Sequence, residues 1–238
     1  MRTRMFRILP IVIVTTLAVS CGDMKCTSSL RERKTDDQIV KELKDKIARE
    51  LKKDESSRQH QRLLDWYEQL GDRYLMMGVW EQAIVNLEKV IAQGRQSANL
   101  HYSLGLAYAN RGRDLNRPED FDRAESQYRR SLDYGMVRNE AGFALAVLLY
   151  YQKNKKDDGL RLMEEFASKN KKHYRSRFGL ARMYYDSGRP DQSLATYEEL
   201  YGDLEKLPDS NVKNEYIEAC KNNMQRLQGE LARPGSNK

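Results

Sequence analysis

A recurrence every thirty-four residues governs what this chain can fold into. Leu70, Gly71, Tyr74 and Gly78 return as Leu104, Gly105, Tyr108 and Gly112, and again as Leu180, Ala181, Tyr184 and Gly188. Thirty-four residues before this last set, Ala146, Val147 and Tyr150 form a worn copy, and Gly159 and Met163 stand where the last set continues with Ser193 and Tyr197. A fixed period of this length marks a stacked array, in which each unit buries its apolar face only against its neighbours.

Helix packing explains the residue types. Ala83 lies twelve residues beyond Gly71, so a turn near Gly78 folds two short helices into an antiparallel hairpin with the two small residues face to face. Such residues let the axes approach the tight end of the usual ~8–10 Å range. Tyr74 and Leu87 fill the space beside the contact. Gly78 stops the first helix, because it takes the left-handed conformation that most side chains resist.

These residues resemble the tetratricopeptide repeat (TPR) signature, which runs Trp, Leu-Gly, Tyr, Ala, Phe, Ala, Pro through two helices. Units fall at 64–97, 98–138, 140–173 and 174–207 within a repeat region of 63–207. The opening Trp position holds Tyr67, His101, Phe143 and Arg177, the closing Pro is missing from all four units, and Val147 stands where a small residue is expected. The resemblance implies an all-α, right-handed superhelical solenoid of about four helix hairpins. In the second unit Gly105 and Ala124 are nineteen residues apart rather than twelve, which places an insertion, Asp114 to Asp120, in the turn between its helices, with Pro118 opening the second helix.

The ends of the chain carry different signals. Arg2, Arg4 and Arg7 precede an apolar run from Ile8 to Val19 that is short for a bilayer span and leads to Ser20 and Cys21. This reads as an export signal over 1–20. "LAVSC" resembles the bacterial lipobox, which implies that Cys21 is diacylated and begins the mature protein, although Leu17 lies four rather than three residues before it. Loss of the three Arg residues lowers the net charge from +7 to +4, which weakens any case for an anionic partner, and nucleic acid is not expected. A polar tether over 21–35 follows, then a helical segment over 36–62 with Asp36 or Asp37 as its cap and a stripe of Ile39, Val40, Leu43, Ile47 and Leu51 expected to pack on the first repeat. At the other end, Val212, Tyr216, Ile217, Cys220, Met224, Leu227 and Leu231 predict a capping helix within 208–232, before a tail at 233–238.

Chemistry for catalysis is not legible. No phosphate loop, dinucleotide fingerprint, nucleophile elbow or His-Glu-x-x-His pair occurs, so the expectation is a non-enzymatic chain without cofactor. His60, His101 and His173 match no metal spacing and are expected on the surface or in a groove. Cys26 and Cys220 leave a disulfide open, with a buried thiol the simpler reading of Cys220.

The TPR resemblance implies a concave groove lined by set positions of each unit's first helix. In the first unit these are Asp65, Glu68, Asp72, Leu75 and Met76, and in the second Asn99, Tyr102, Leu106 and Asn110. The third supplies Ala144, Leu148, Tyr151 and Gln152, and the fourth Arg175, Phe178, Arg182, Tyr185 and Asp186. The lining is acidic at its start, apolar and aromatic in the middle and basic near its end. Glu68 and Asp72 replace the Lys and Asn carboxylate clamp of chaperone-binding members, so a chaperone's acidic C-terminal peptide is not the expected ligand. The function expected is that of a lipid-anchored scaffold in the bacterial cell envelope, facing the periplasm, that docks envelope proteins or peptides. The alternative is an accessory subunit of an envelope transport system that binds a solute or a solute-binding protein. A homo-oligomer is compatible with either.

Overall fold

The computed structural model describes residues 34–134 and 140–232. Cys21, Cys26, the signal and the tail at 233–238 lie outside the described residues. All described helices fall within one compact unit that begins at residue 35. They are α1 (Asp36–Leu51), α2 (His60–Met76), α3 (Trp80–Ala92), α4 (Ala98–Asp114), α5 (Pro118–Asp133), α6 (Glu140–Tyr151), α7 (Lys156–Lys169), α8 (Tyr174–Asp186), α9 (Pro190–Glu205) and α10 (Asn211–Leu231). The described residues hold no strand. Four hairpins, α2/α3, α4/α5, α6/α7 and α8/α9, stack in chain order, with α1 packed on α2 and α10 on α9.

The first three hairpins close on a contact too tight for ordinary side chains. A Cβ added to Gly71 would lie 2.7 Å from Leu87 Cγ, and one on Gly105 2.6 Å from the Tyr128 ring. In the third hairpin Val147 occupies the small-residue position of the first helix, and the second helix compensates. A Cβ on Gly159 would fall 2.7 Å from the Tyr150 backbone nitrogen and 2.8 Å from the Ala146 carbonyl oxygen. In the fourth hairpin Ala181 and Ser193 are both fully buried. The tips share one backbone solution with different residues: Gly78 and Gly188 have φ of 72° and 73°, Asn116 and Asn154 φ of 53° and 52°. Asn tolerates this left-handed region better than other non-Gly residues.

The second hairpin departs from expectation. The insertion does not form a loop in the turn. It lengthens α4 by four residues past the point where α2 ends and α5 by three before the point where α3 begins, measured from Gly105 and Ala124. Gly112 is therefore inside α4 rather than at the turn, where a Cβ would meet the Arg117 carbonyl and the Phe121 ring at 3.0 Å. Pro118 opens α5 as expected. Arg111 holds this extension: its Nε and Nη2 donate to the two Asp120 carboxylate oxygens at 2.7 Å each, and its Nη1 to Glu81 at 2.5 Å. Arg111 and Asp120 are 6 % and 1 % exposed, and the Trp80 indole donates to Asp114 at 2.8 Å, so the longer hairpin is tied to the one before it.

The terminal helices differ in detail from their sequence reading. Thr35, not Asp36 or Asp37, caps α1: its hydroxyl accepts from the Gln38 amide while the Gln38 side chain accepts from the Thr35 amide. Asp36 and Asp37 fill the first turn, where the helix dipole favours negative charge. Val40, Leu43 and Ile47 are buried, whereas Leu51 is exposed beyond the packed face. Ser210 caps α10, which buries Cys220 and Leu227 and leaves Val212 open.

Arg111→Ala would leave Asp120 buried without its counter-charge, a defect that costs about 3–5 kcal/mol. Chemical denaturation should show a loss of that order, and a loss under about 1 kcal/mol, the scale of an exposed ion pair, would contradict the clamp.

Candidate functional site

All of the expected groove residues but Gln152 lie on the first helices α2, α4, α6 and α8. At the start, Asp65 and Glu68 do not stand as free acids. Arg95, in the connection before α4, donates to Asp65 at 2.6 Å, to Glu68 at 3.1 Å and to the Gln61 side chain at 3.0 Å. Asp72 is different. It is half-buried, and burial raises its carboxyl above the ordinary carboxylate range; a hydrogen bond with the Ser103 hydroxyl opposes that shift and the Glu68 charge adds to it. Leu75 packs partly buried on the core, and Met76 is exposed.

On α4, Asn99 is exposed, Leu106 packs against the core, and the Asn110 amide donates to the Leu106 carbonyl at 2.8 Å. Tyr102 is half-buried with its ring 6.1 Å from that of Tyr128. Burial, then the Glu140 charge, push its hydroxyl up to about 12 against an opposing pull from Arg175. Tyr102 therefore shares one electrostatic neighbourhood with α6 and α8. Leu148 on α6 is not a lining residue: it is 3 % exposed and joins the core with Leu145 and Leu149. Tyr151 at the end of α6 is exposed and donates its hydroxyl to Asp186 at 2.8 Å.

On α8, the Arg175 guanidinium stacks 4.9 Å from the Phe143 ring centroid, with a nitrogen 3.7 Å from Glu140. Arg182 is exposed and 3.9 Å from Asp186. Phe178 and Tyr185 are largely covered by α10. The Phe178 ring meets Tyr197 at 5.1 Å and Tyr216 at 6.0 Å, while Tyr185 donates to Glu230 at 3.2 Å under the Arg226 guanidinium, 4.6 Å from its ring. The structure thus places Tyr102 near Arg175 and Tyr151 near Arg182, withdraws Leu148 and half-covers Phe178.

Three contributors fall outside the positions expected to line the groove. Arg95 lies between repeats, Glu140 opens its unit, and Arg226 belongs to the cap. Within the basic stretch from Lys169 to Arg177, Arg177 is buried against Asp203 at 2.8 Å. His101 is buried, not at the surface or in the groove, with its ring nitrogens 2.6 Å and 2.7 Å from the Gln96 and Gln127 side chains. His173 caps α8, where its Nδ1 accepts from the Ser176 amide, so Nε2 carries the proton toward Glu140 at 3.1 Å. Cys220 is a buried free thiol, pushed up to about 11 by that burial. No group of three or more metal-ligating side chains occurs among the described residues.

Two family models match the chain, a TPR repeat over residues 71–112 and a tetratricopeptide repeat over residues 144–211. No curated protein matches it. Among solved structures, the crystal structure of MamA superposes with a TM-score of 0.57 at 18 % identity, covering 72 % of this chain and 90 % of that one. TTC0263, a thermophilic TPR protein of Thermus thermophilus, gives 0.57 at 15 % identity over 78 % and 90 %. YrrB, described as a TPR protein with an unusual peptide-binding site, gives 0.54 at 18 % identity over 76 % and 85 %. At these identities the likeness is one of fold, and the fold is that of the TPR solenoids.

Truncation of Phe178 should loosen the cap. Phe178→Ala removes a half-buried ring shared by α9 and α10, so its cost should reach about 1–3 kcal/mol, below the ~3–5 of a fully buried ring. Hydrogen exchange should show α10 amides losing protection while α2 to α5 keep theirs. Unchanged α10 protection would contradict this docking.

Proposed function

We propose that this solenoid of tetratricopeptide repeats is a docking scaffold that holds an extended segment of a partner protein along its first helices, carried in the cell envelope by lipid on Cys21. Repeats of this kind and their structural relatives support a protein-interaction role, and no catalytic family is indicated. The observation that carries the reading is two Tyr–Arg neighbourhoods on the first helices of successive repeats, Tyr102 with Arg175 and Tyr151 with Arg182. Solenoids present such extended surfaces, and Tyr and Arg are favoured as binding anchors. The peptide-binding description of YrrB adds support by analogy of fold alone.

The envelope location rests on the N-terminal sequence, where a basic start, a short apolar run and Cys21 follow in the order of a lipoprotein signal. No described helix is long and apolar enough to cross a membrane.

Photocrosslinking in intact cells from position 151 should trap one partner in high yield. Tyr151→Ala with Arg182→Glu should then reduce capture of that partner about tenfold, equivalent to ~1.4 kcal/mol, while the array stays folded by circular dichroism, since both side chains are exposed. The loss should be greater at low salt. Full capture by the double variant would remove the groove from the account, and fatty-acid label retained by Cys21→Ser would remove the anchor.

A further inference from the structure

One groove acid lacks a counter-charge that its neighbours have. Arg95 pairs with Asp65 and Glu68, and Arg73 with Asp36 across α1 and α2 at 2.6 Å. Asp72 has the Ser103 hydroxyl and, among the described residues, no ion-pair partner. It lines a cleft of about 180 Å³ between α1 and α2, together with Ile39, Leu43, Gln69, Arg73 and Met76. That volume exceeds tenfold the ~10–15 Å³ that seats one water. The walls supplied by Ile39, Leu43 and Met76 are apolar.

We propose that this cleft seats a lysine or arginine side chain of the partner segment, with Asp72 as its counter-charge. The proposal rests on the groove reading and adds what the partner must carry. A long basic side chain has the two properties the cleft asks for, an aliphatic stem for the apolar walls and a cationic head for the carboxylate. An acidic side chain would meet Asp72 and Glu68, and the guanidinium of Arg73 is already engaged by Asp36. A metal ion would find one carboxylate where it needs several ligands.

Charge bookkeeping supports the same assignment. Burial holds the folded-state carboxyl of Asp72 above its ordinary value, so its ionisation costs folding free energy. That cost is absent below the unfolded value, and it appears as pH rises through the folded value. The groups that bear on this titration are Ser103 on α4 and Glu68 on α2, while Arg73, which lines the same cleft, is paired with Asp36 on α1. A cation bound at Asp72 offsets the cost, whereas a carboxylate kept for stability would bring its partner with it.

The test uses n-butylammonium as a side-chain probe and 1-butanol as its neutral match, titrated into the isotopically labelled full chain and followed by amide NMR. Butylammonium should shift the amides of Leu43 and Gln69 to Met76 with at least fivefold higher affinity than butanol. That preference should vanish in Asp72→Asn, and in the wild type as pH falls through the Asp72 titration. Asp72→Asn should melt at the wild-type temperature or above it. Equal affinity for the two probes, an undiminished preference in Asp72→Asn, or a clear drop in its melting temperature would each overturn the proposal, the last by marking Asp72 as a structural acid. The probes contain no peptide, so failure here leaves the Tyr151 and Arg182 capture result standing, and failure there leaves this titration intact.

Discussion

Everything in this molecule depends on how closely the two helices of each hairpin can approach. The contact is met with different chemistry in the first three hairpins: Gly71 against Leu87 and the Ala83 carbonyl, Gly105 against the Tyr128 ring, and Gly159 against the Ala146 carbonyl and the Tyr150 backbone, while the fourth buries Ala181 and Ser193 completely. In the third hairpin the bulk moves to the first helix and the space to the second, so the backbones still meet. What the fold conserves is a distance between helix axes, and either partner can provide it. That distance places each first helix beside the next, and the row of first helices is the surface on which any groove is built.

Inter-repeat polar contacts hold the stack in register. Arg111 joins α4 to α3 and α5, and Lys153 reaches Asp122 and Glu125 from the tip of the third hairpin. Burial works to raise the Glu125 carboxyl, yet hydrogen bonds from Lys153 and Arg129 and the charges of Lys153 and Lys155 outweigh it and bring the group down to about 2. Repeat proteins gain much of their stability at such interfaces, because each unit touches only its neighbours. The cap follows the same logic: α10 gives α8 and α9 an apolar face to lie against and meets water on its other side.

The hairpins were legible because small residues and Tyr at fixed offsets report a requirement local to two helices. The fate of the insertion was not, because the choice between loop and longer helix turned on Arg111, Asp120 and Trp80 meeting across two repeats. How far each expected groove position stays open was not legible, for a similar reason. A position on one helix says nothing of the neighbour that covers it, and so Leu148 joins the core while Phe178 lies under Tyr216. Arg95 was hidden in a connection between repeats, yet it decides that Asp65 and Glu68 are paired and Asp72 is not.

The central claim is the close approach within the hairpins, and Gly159→Ala tests it with a sign. Helix propensity alone favours Ala over Gly by about 1 kcal/mol and would raise the melting temperature. The account predicts a fall, because the added methyl meets the Tyr150 nitrogen and the Ala146 carbonyl, backbone atoms that cannot turn aside, and overpacking costs about 1–3 kcal/mol. Gly202, within α9 with no atom near its missing Cβ, is the reference for propensity alone, and Gly202→Ala should melt higher. Thermal unfolding that moves Gly159→Ala down and Gly202→Ala up is the predicted result, and a rise in both would contradict it.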